Sequence, residues 1–270
     1  MAGCDARAAV LPVHRDARHR QVQCGHAVPL EKEQQAINVY MLKTFIKMAL
    51  ILYKVDASPP ANAVRILADI LGLELELRDL DFGTLEHKSA GHLKLNPMGT
   101  VPTLVDGDFV ISESHATMKY LLSVYGGDKS ESLYPSDVRT RALVDQAMFF
   151  NVGIFFIRLK VVVLPALFGD LDGPTEKHRA DIDEAYGIVE AYLADHEYIV
   201  TDHLTIADLS VGATTIAMQP LHKLDPAKFP RTSAWMARLE QHPSVKKILI
   251  PGTKILGEIV NGAWQKNKKL

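Results

Sequence analysis

The sequence predicts a small α/β domain of order βαβ–ββα followed by an all-α domain. Three observations carry this. Between Ala49 and Gly127, apolar runs of strand length alternate with stretches of helical period. Beyond Pro135 every segment has helical period and no strand is evident. Between the two, "GGDKSESLYPSD" breaks both patterns and reads as a linker. The expected organisation is a leader at 1–47, the α/β domain at 48–127, a linker at 128–135 and the helical domain at 136–270.

The elements follow in order. "LILYKV" is an apolar run of strand length. "SPPANAVRILADILGLEL" opens with prolines, which cost nothing in a first helical turn, and carries Val64, Leu67, Ile70 and Leu71 three and four apart. Gly72 is its expected stop. "LELELRDL" alternates apolar and charged residues and reads as a second strand, parallel to the first through a right-handed crossover. The polar segment from Asp81 to Gly99 follows. "TLVD" and "FVIS", joined through Gly107-Asp108, read as an antiparallel hairpin. A helix is expected from near Ser114, with that serine as its cap, to Tyr125. In the second half, a long helix starting near Val138 and a second over "PTEKHRADIDEAYGIVEAYLADH" precede short helices, the last from Gly252 to about Trp264.

Charge and cysteine usage narrow the function. Residues 1–47 hold seven basic and four acidic groups, a net of +3, which leaves −5 on the rest. An acidic body without a basic stripe argues against nucleic acid. Both cysteines, Cys4 and Cys24, precede Met48, so no disulfide and no catalytic thiol belongs to the body. The leader has too short an apolar run for a secretory signal and reads as a disordered extension. Residues 36–50 form a candidate helix that Lys43 and Lys47 exclude as a membrane span. A cytoplasmic protein without membrane contact is expected. Neither histidine pairs at ligand spacing nor a phosphate loop is present, so no metal site is expected.

Five stretches, "LYKVDASPPANAV", "LKLNPMGTVPTLVDG", "ISESHATMKYLLSVYG", "LYPSD" and "LTIADLS", stand in an order and spacing that resembles the cytosolic glutathione transferases, above all the insect delta and epsilon classes. The resemblance covers Met48 to about Asn261. It implies a thioredoxin-like first domain, the glutathione transferase fold as a whole, a homodimer and glutathione as co-substrate. Val101, before a cis Pro102, would hydrogen-bond the tripeptide backbone like an added strand. Glu113 and Ser114 would take the ammonium and carboxylate of the γ-glutamyl end, a helix N-terminus being suited to an anion. His115 stands where some relatives have Arg.

Ser58 is the candidate catalytic residue. A thiol of ordinary pKa, ~8.5, is mostly protonated at neutral pH, and the thiolate is the nucleophile. A hydroxyl donating to sulfur beside a helix N-terminus favours the anion. On local sequence, Ser58 serves equally as a helix cap; the resemblance assigns it to the thiolate, with Tyr53 as the runner-up. His87 matches the first of two histidines that these classes place near the glycyl end. The second is replaced by Gly99, so His92 is a candidate substitute, and a histidine restored at 99 is expected to tighten binding. Asn62 and Ala61 stand where Arg and Cys are usual.

The long helix shows two apolar stripes, Leu143, Ala147, Phe150, Ile154, Ile157 and Met148, Val152, Phe155, Leu159, with Phe149 and Phe156 beside the second. Either both stripes are core or one faces the cleft. On the second reading Met148, Phe149, Val152, Phe155 and Phe156 form a site for apolar electrophiles, with Leu167 and Phe168 at its edge. Relatives carry Tyr in place of Phe149 and Phe156. Thr205 and Asp208 form a capping box, which assigns Asp208 to folding. The implied activity is conjugation of the glutathione thiolate to apolar electrophiles, with peroxidase or dehydrohalogenase side activity. The alternative is a non-catalytic carrier of apolar ligands or an assembly module.

Overall fold

The computed structural model describes residues 49–269. The expected leader lies outside them, as does the helix expected over 36–50 except for its end, where Leu50 opens a strand. Residues 48–270 form one compact unit.

The α/β half follows the expected order. It comprises β1 (Leu50–Lys54), α1 (Pro59–Leu71), β2 (Leu75–Asp79), α2 (Ala90–Leu95), β3 (Thr103–Asp106), β4 (Phe109–Ser112) and α3 (Ser114–Tyr125). The sheet order is β2-β1-β3-β4, with β1 parallel to β2 and antiparallel to β3. The short α2 falls within a polar segment that gives no helical period. Ser89 makes it possible by accepting from the His92 N–H at 3.3 Å.

Register decides where chemistry can sit. Tyr53 pairs with Thr103, and Thr103 pairs with Ser112. Lys54 pairs with Asp79. The C-terminal ends of β1, β2 and β4 and the start of β3 therefore share one end of the sheet. Ser58, the loop after β2, Val101-Pro102 and Glu113-Ser114 all leave the sheet at that end. Neighbouring strands lie ~4.8 Å apart, so the row from Ser112 to Tyr53 spans about 10 Å.

The helical half contains α4 (Val138–Phe150), α5 (Phe156–Phe168), α6 (Glu176–Tyr192), α7 (Ile206–Met218), α8 (Pro230–Gln241) and α9 (Ile250–Asn267). A π turn, Asn151–Phe155, joins α4 to α5 into the single long helix expected. A second π turn, Val245–Leu249, leads into α9, which starts earlier than Gly252 because Pro251 is accommodated in its first turn. Helix α7 is buried along its whole length and packs on α1, α4 and α9. The apolar core is continuous across both halves, from Leu52, Leu67 and Leu104 to Val144, Ile182 and Trp235. Full burial of each such side chain stabilises by ~1.5–3 kcal/mol. Val138–Phe168 is long and apolar enough to cross a membrane by composition, but Val144, Met148, Phe155 and Leu159 spend that apolarity on this core.

Asp208 anchors α7. Its carboxylate accepts from the N–H and hydroxyl of Thr205, the Ile199 N–H and Trp235 Nε1, at 2.8–3.0 Å. Burial pushes its pKa up against those four donors, which pull it down. The capping box is thus present, and it also ties α7 to α8 and to the preceding loop.

Candidate active site

Ser58 caps α1 and keeps its proton available. Its Oγ accepts from the Ala61 N–H at 3.4 Å, and its backbone is extended. A cap uses an oxygen lone pair, so the O–H remains a donor. The cap and the thiolate roles are therefore compatible. The turn before it is held from below. The Asn62 side chain donates to the Asp56 carbonyl at 2.8 Å, and the Asp56 carboxylate meets Lys54 at 2.6 Å and Arg65 at 2.7 Å. Burial opposes ionisation of Asp56, but these two cations hold its pKa below the usual value. Gly252 of α9 packs on the same turn, where a Cβ would overlap both the Asp56 carbonyl and Asn62 Nδ2.

Tyr53, the rival to Ser58, is turned toward the edge strand. Its hydroxyl accepts from Arg78 at 3.1 Å on the edge strand, and its ring packs edge-on against His92.

Val101 follows a tightly fixed loop. The Thr100 carbonyl accepts from Asn96 Nδ2 at 3.0 Å, His92 Nε2 at 3.2 Å and Thr103 Oγ1 at 3.2 Å. Asn96 is fully buried and also donates to the hydroxyls of Thr100 and Thr103 at 3.1 Å. The Val101-Pro102 bond is cis. The β ladder begins only at Thr103, and among the described residues neither the N–H nor the C=O of Val101 has a hydrogen-bond partner. An extended ligand can pair there.

Glu113 rather than Ser114 occupies the cap position of α3, and its side chain makes no cap bond. Ser114 is instead the first helical residue. Glu113 holds φ at +71°, a region in which a non-glycine residue is strained and which clusters at ligand sites. Its carbonyl is fixed by the Thr117 N–H at 2.8 Å and hydroxyl at 2.9 Å, while its carboxylate is exposed. The N-termini of α1 and α3 thus open at the same end of the sheet, and each favours an anion.

His115 does not belong to this ligand set. Its Nε2 lies 2.6 Å from Ser210 Oγ on α7, and Ser210 also accepts from Asn151 at 2.8 Å. Ser210 Oγ thus bridges the His115 ring and the Asn151 amide. Burial, reinforced by the charge of Lys119, pushes the His115 pKa down to about 4. His115 ties the start of α3 to α7 and to the π turn.

His87 lies in the middle of a 3-10 turn, its ring stacked on Phe82 at 4.0 Å and its Nδ1 buried without a partner. His92 is buried and bonded to Thr100, so it cannot stand in for the missing second histidine. Nor can that histidine be restored by substitution. Gly99 is buried at φ +57°, and a Cβ there would meet the His87 carbonyl oxygen at 2.7 Å and the Lys88 side chain at 2.9 Å. The expected gain from Gly99→His is withdrawn.

The apolar site also changes. Met148 and Phe155 are 1% and 0% exposed, packed in the core, and are removed from it. The buried arc of the long helix runs through Val144, Met148, Asn151 and Phe155. Asn151 sits at its centre, its Nδ2 donating to the carbonyl and hydroxyl of Ser210. Reading apolar residues alone skipped it and split the buried face between two stripes. Phe149 is 69% exposed, on the side where Lys119 of α3 stands 6.0 Å from its ring. Val152 is exposed and Phe156 half-buried. Helix α3 runs antiparallel to α4 here, Lys119 opposite Asp145 and His115 opposite Asn151 through Ser210. Leu167 and Phe168 are exposed near the end of α5. Among the described residues no cluster suited to a metal ion occurs.

Residues 48–123 match the family model of the glutathione S-transferase N-terminal domain, and residues 162–243 match that of the C-terminal domain. A curated relative, glutathione S-transferase 1 of Manduca sexta, is 34% identical over 79% of this chain and 98% of its own. The chain belongs to the glutathione transferase family. An epsilon-class glutathione S-transferase from the housefly, Musca domestica, superposes with a TM-score of 0.77 at 37% identity, over 79% of this chain and 98% of that one. A glutathione transferase homologue of Drosophila mojavensis, solved with bound glutathione, gives 0.76 at 38% identity, over 80% and 97%. The transferase fold, the enzyme class and the insect epsilon/delta type are thereby shown. Sequence reasoning missed Asn96 and took Gly252 only as a helix start.

Proposed function

We propose that this glutathione transferase conjugates the glutathione thiolate to apolar electrophiles, with the Ser58 hydroxyl donating to the sulfur. The observation that carries this reading is Ser58 Oγ at the N-terminus of α1, accepting a cap bond and free to donate. The open backbone of Val101 supports pairing with the cysteinyl segment, and the exposed Glu113 carboxylate with Ser114 supports capture of the γ-glutamyl end. A hydrogen bond to a charged group is worth about 1.5–3 kcal/mol, enough to lower a thiol pKa by one or two units. His87 supports the far end of the ligand. Val152 and Phe156 line the apolar approach. Family membership supports a cytoplasmic homodimer.

Ser58→Ala tests the chemistry. With a generic aryl halide, kcat should fall while glutathione still binds, and the pKa of bound glutathione, read from the ultraviolet band of the thiolate, should rise towards ~8.5. Full activity of the variant would remove Ser58 from the reaction. A wild type that binds glutathione yet turns over no electrophile would leave the carrier reading in its place.

A further inference from the structure

We infer that the groove between the C-terminal ends of α7 and α8 and the flank of α9 binds a small organic cation with an apolar body, its charge paired with Glu240.

The groove measures about 510 Å³, a size usual for small-molecule sites. Its apolar surface comes from Ile216 at the end of α7, Pro220 just after it, and Ile250 and Gly257 of α9. The α9 positions that line it, from 250 through 253 and 257 to 261, recur three and four apart and share one face of that helix. Gly252, which packs on the Asp56 carbonyl, lies off that face. The groove is thus built on a different side of α9 from the turn that presents Ser58.

Electrostatics decide the ligand. Glu240 is half-buried in the last turn of α8, and burial pushes its pKa up with nothing to oppose it. Among the described residues neither a cation nor a hydrogen-bond donor reaches its carboxylate. Its neighbours along the groove do not supply one. Gln219 Nε2 donates to the Thr215 carbonyl at 2.9 Å and the Tyr186 hydroxyl at 3.1 Å. The Thr253 hydroxyl is buried without a partner. Lys254 stands 3.9 Å from Glu258, and both are largely exposed. The cations nearest in sequence are engaged elsewhere, Arg238 with Glu197, Lys246 with Gln241 and Lys247 with Asp69. Two helix C-termini add negative potential, since α7 ends at Met218 and α8 at Gln241. Helix α9 runs on from the π turn, so it has no free N-terminus here to offset them. An ammonium group over Glu240 answers the carboxylate and both helix ends, while its apolar body covers Ile216, Pro220 and Ile250.

The probe is phenylbutylamine, an alkylammonium at neutral pH, compared with neutral phenylbutanol and anionic phenylbutyrate by calorimetry on the full chain. Saturating S-hexylglutathione fills the thiol and electrophile sites throughout. The amine should still bind, the alcohol about fivefold more weakly, and the acid more weakly again. Glu240→Gln should bring the amine down to the affinity of the alcohol, and Glu258→Gln should leave it within about twofold. The urea midpoint of Glu240→Gln should not fall, because the carboxylate has no partner to lose. Displacement of the amine by S-hexylglutathione would place it in the transferase site and overturn the groove. Equal affinity for amine and alcohol, or an unaltered amine affinity in Glu240→Gln, would overturn the pairing. A lowered midpoint would show that Glu240 is already partnered within the fold, and would overturn it too. So would the absence of amine binding at millimolar concentration.

Discussion

Gly252 lies against the Asp56 carbonyl oxygen so closely that a Cβ at 252 would overlap it. The helical half thus buttresses the turn that presents Ser58. Gly252→Ala must move either α9 or that turn. Overpacking of this kind costs about 1–3 kcal/mol. The midpoint of urea unfolding should fall accordingly, and kcat with glutathione should fall with it. Unchanged stability and unchanged kcat together would mean that the two segments do not press on each other.

Asn96 fixes the loop before Val101 with three hydrogen bonds from one amide nitrogen. Asn96→Ala removes one of three donors to the Thr100 carbonyl and the bonds to the Thr100 and Thr103 hydroxyls. A stability loss of about 2 kcal/mol is expected. Glutathione affinity should drop roughly tenfold, equivalent to about 1.4 kcal/mol, because the backbone that would pair with the ligand loses its anchor. Calorimetry would detect the change, and an unaltered affinity would show that the other donors suffice.

Asp208→Ala strands the Ile199 N–H, the Thr205 N–H and Trp235 Nε1. Each buried orphan costs about 1–3 kcal/mol, so the total should exceed ~3 kcal/mol. This is more than the sequence implied, since a capping box alone is worth about 0.5–2 kcal/mol. In whatever folds, the pKa of bound glutathione should not move. A shift would tie Asp208 to the reaction.

His115 makes stability depend on pH. The unfolded chain protonates this imidazole near 6.5, and the folded chain only near 4. Between those values the unfolded state binds more protons, so stability from this group is complete above about pH 6.5 and is lost as pH falls towards 4. The amount is about 2–3 kcal/mol, allowing for incomplete burial. His115→Gln cannot protonate. Its deficit against the wild type in urea unfolding at pH 7.5 should shrink by that amount at pH 4.5. A deficit that stays constant would contradict the buried neutral state.

The strands, the hairpin and the order of elements were legible because each writes its period into adjacent residues. The places of Ser58, Val101 and Glu113 in the fold were legible for a related reason, since a Pro at a strand mouth and a polar residue at a helix start are local signals. The long helix misled because its buried face contains Asn151, whose partner Ser210 lies on another helix and leaves no trace in local sequence. His115 misled in the same way. Its neighbours in sequence point to the ligand, but its partner is that same Ser210. Gly252 was silent because close approach is a property of two segments, and only one of them is the glycine.

The cap at Ser58 has a consequence for what leaves the enzyme. The N-terminus of α1 favours negative charge, and a thiolate brings one. After conjugation the sulfur is a thioether and carries none. On the chemistry proposed for Ser58, the hydroxyl and the helix end that would hold the reactant in its charged form would offer the product far less, so the reaction would erase part of its own binding site's attraction. Release of the conjugate would then rest on the same few atoms that would activate the thiol.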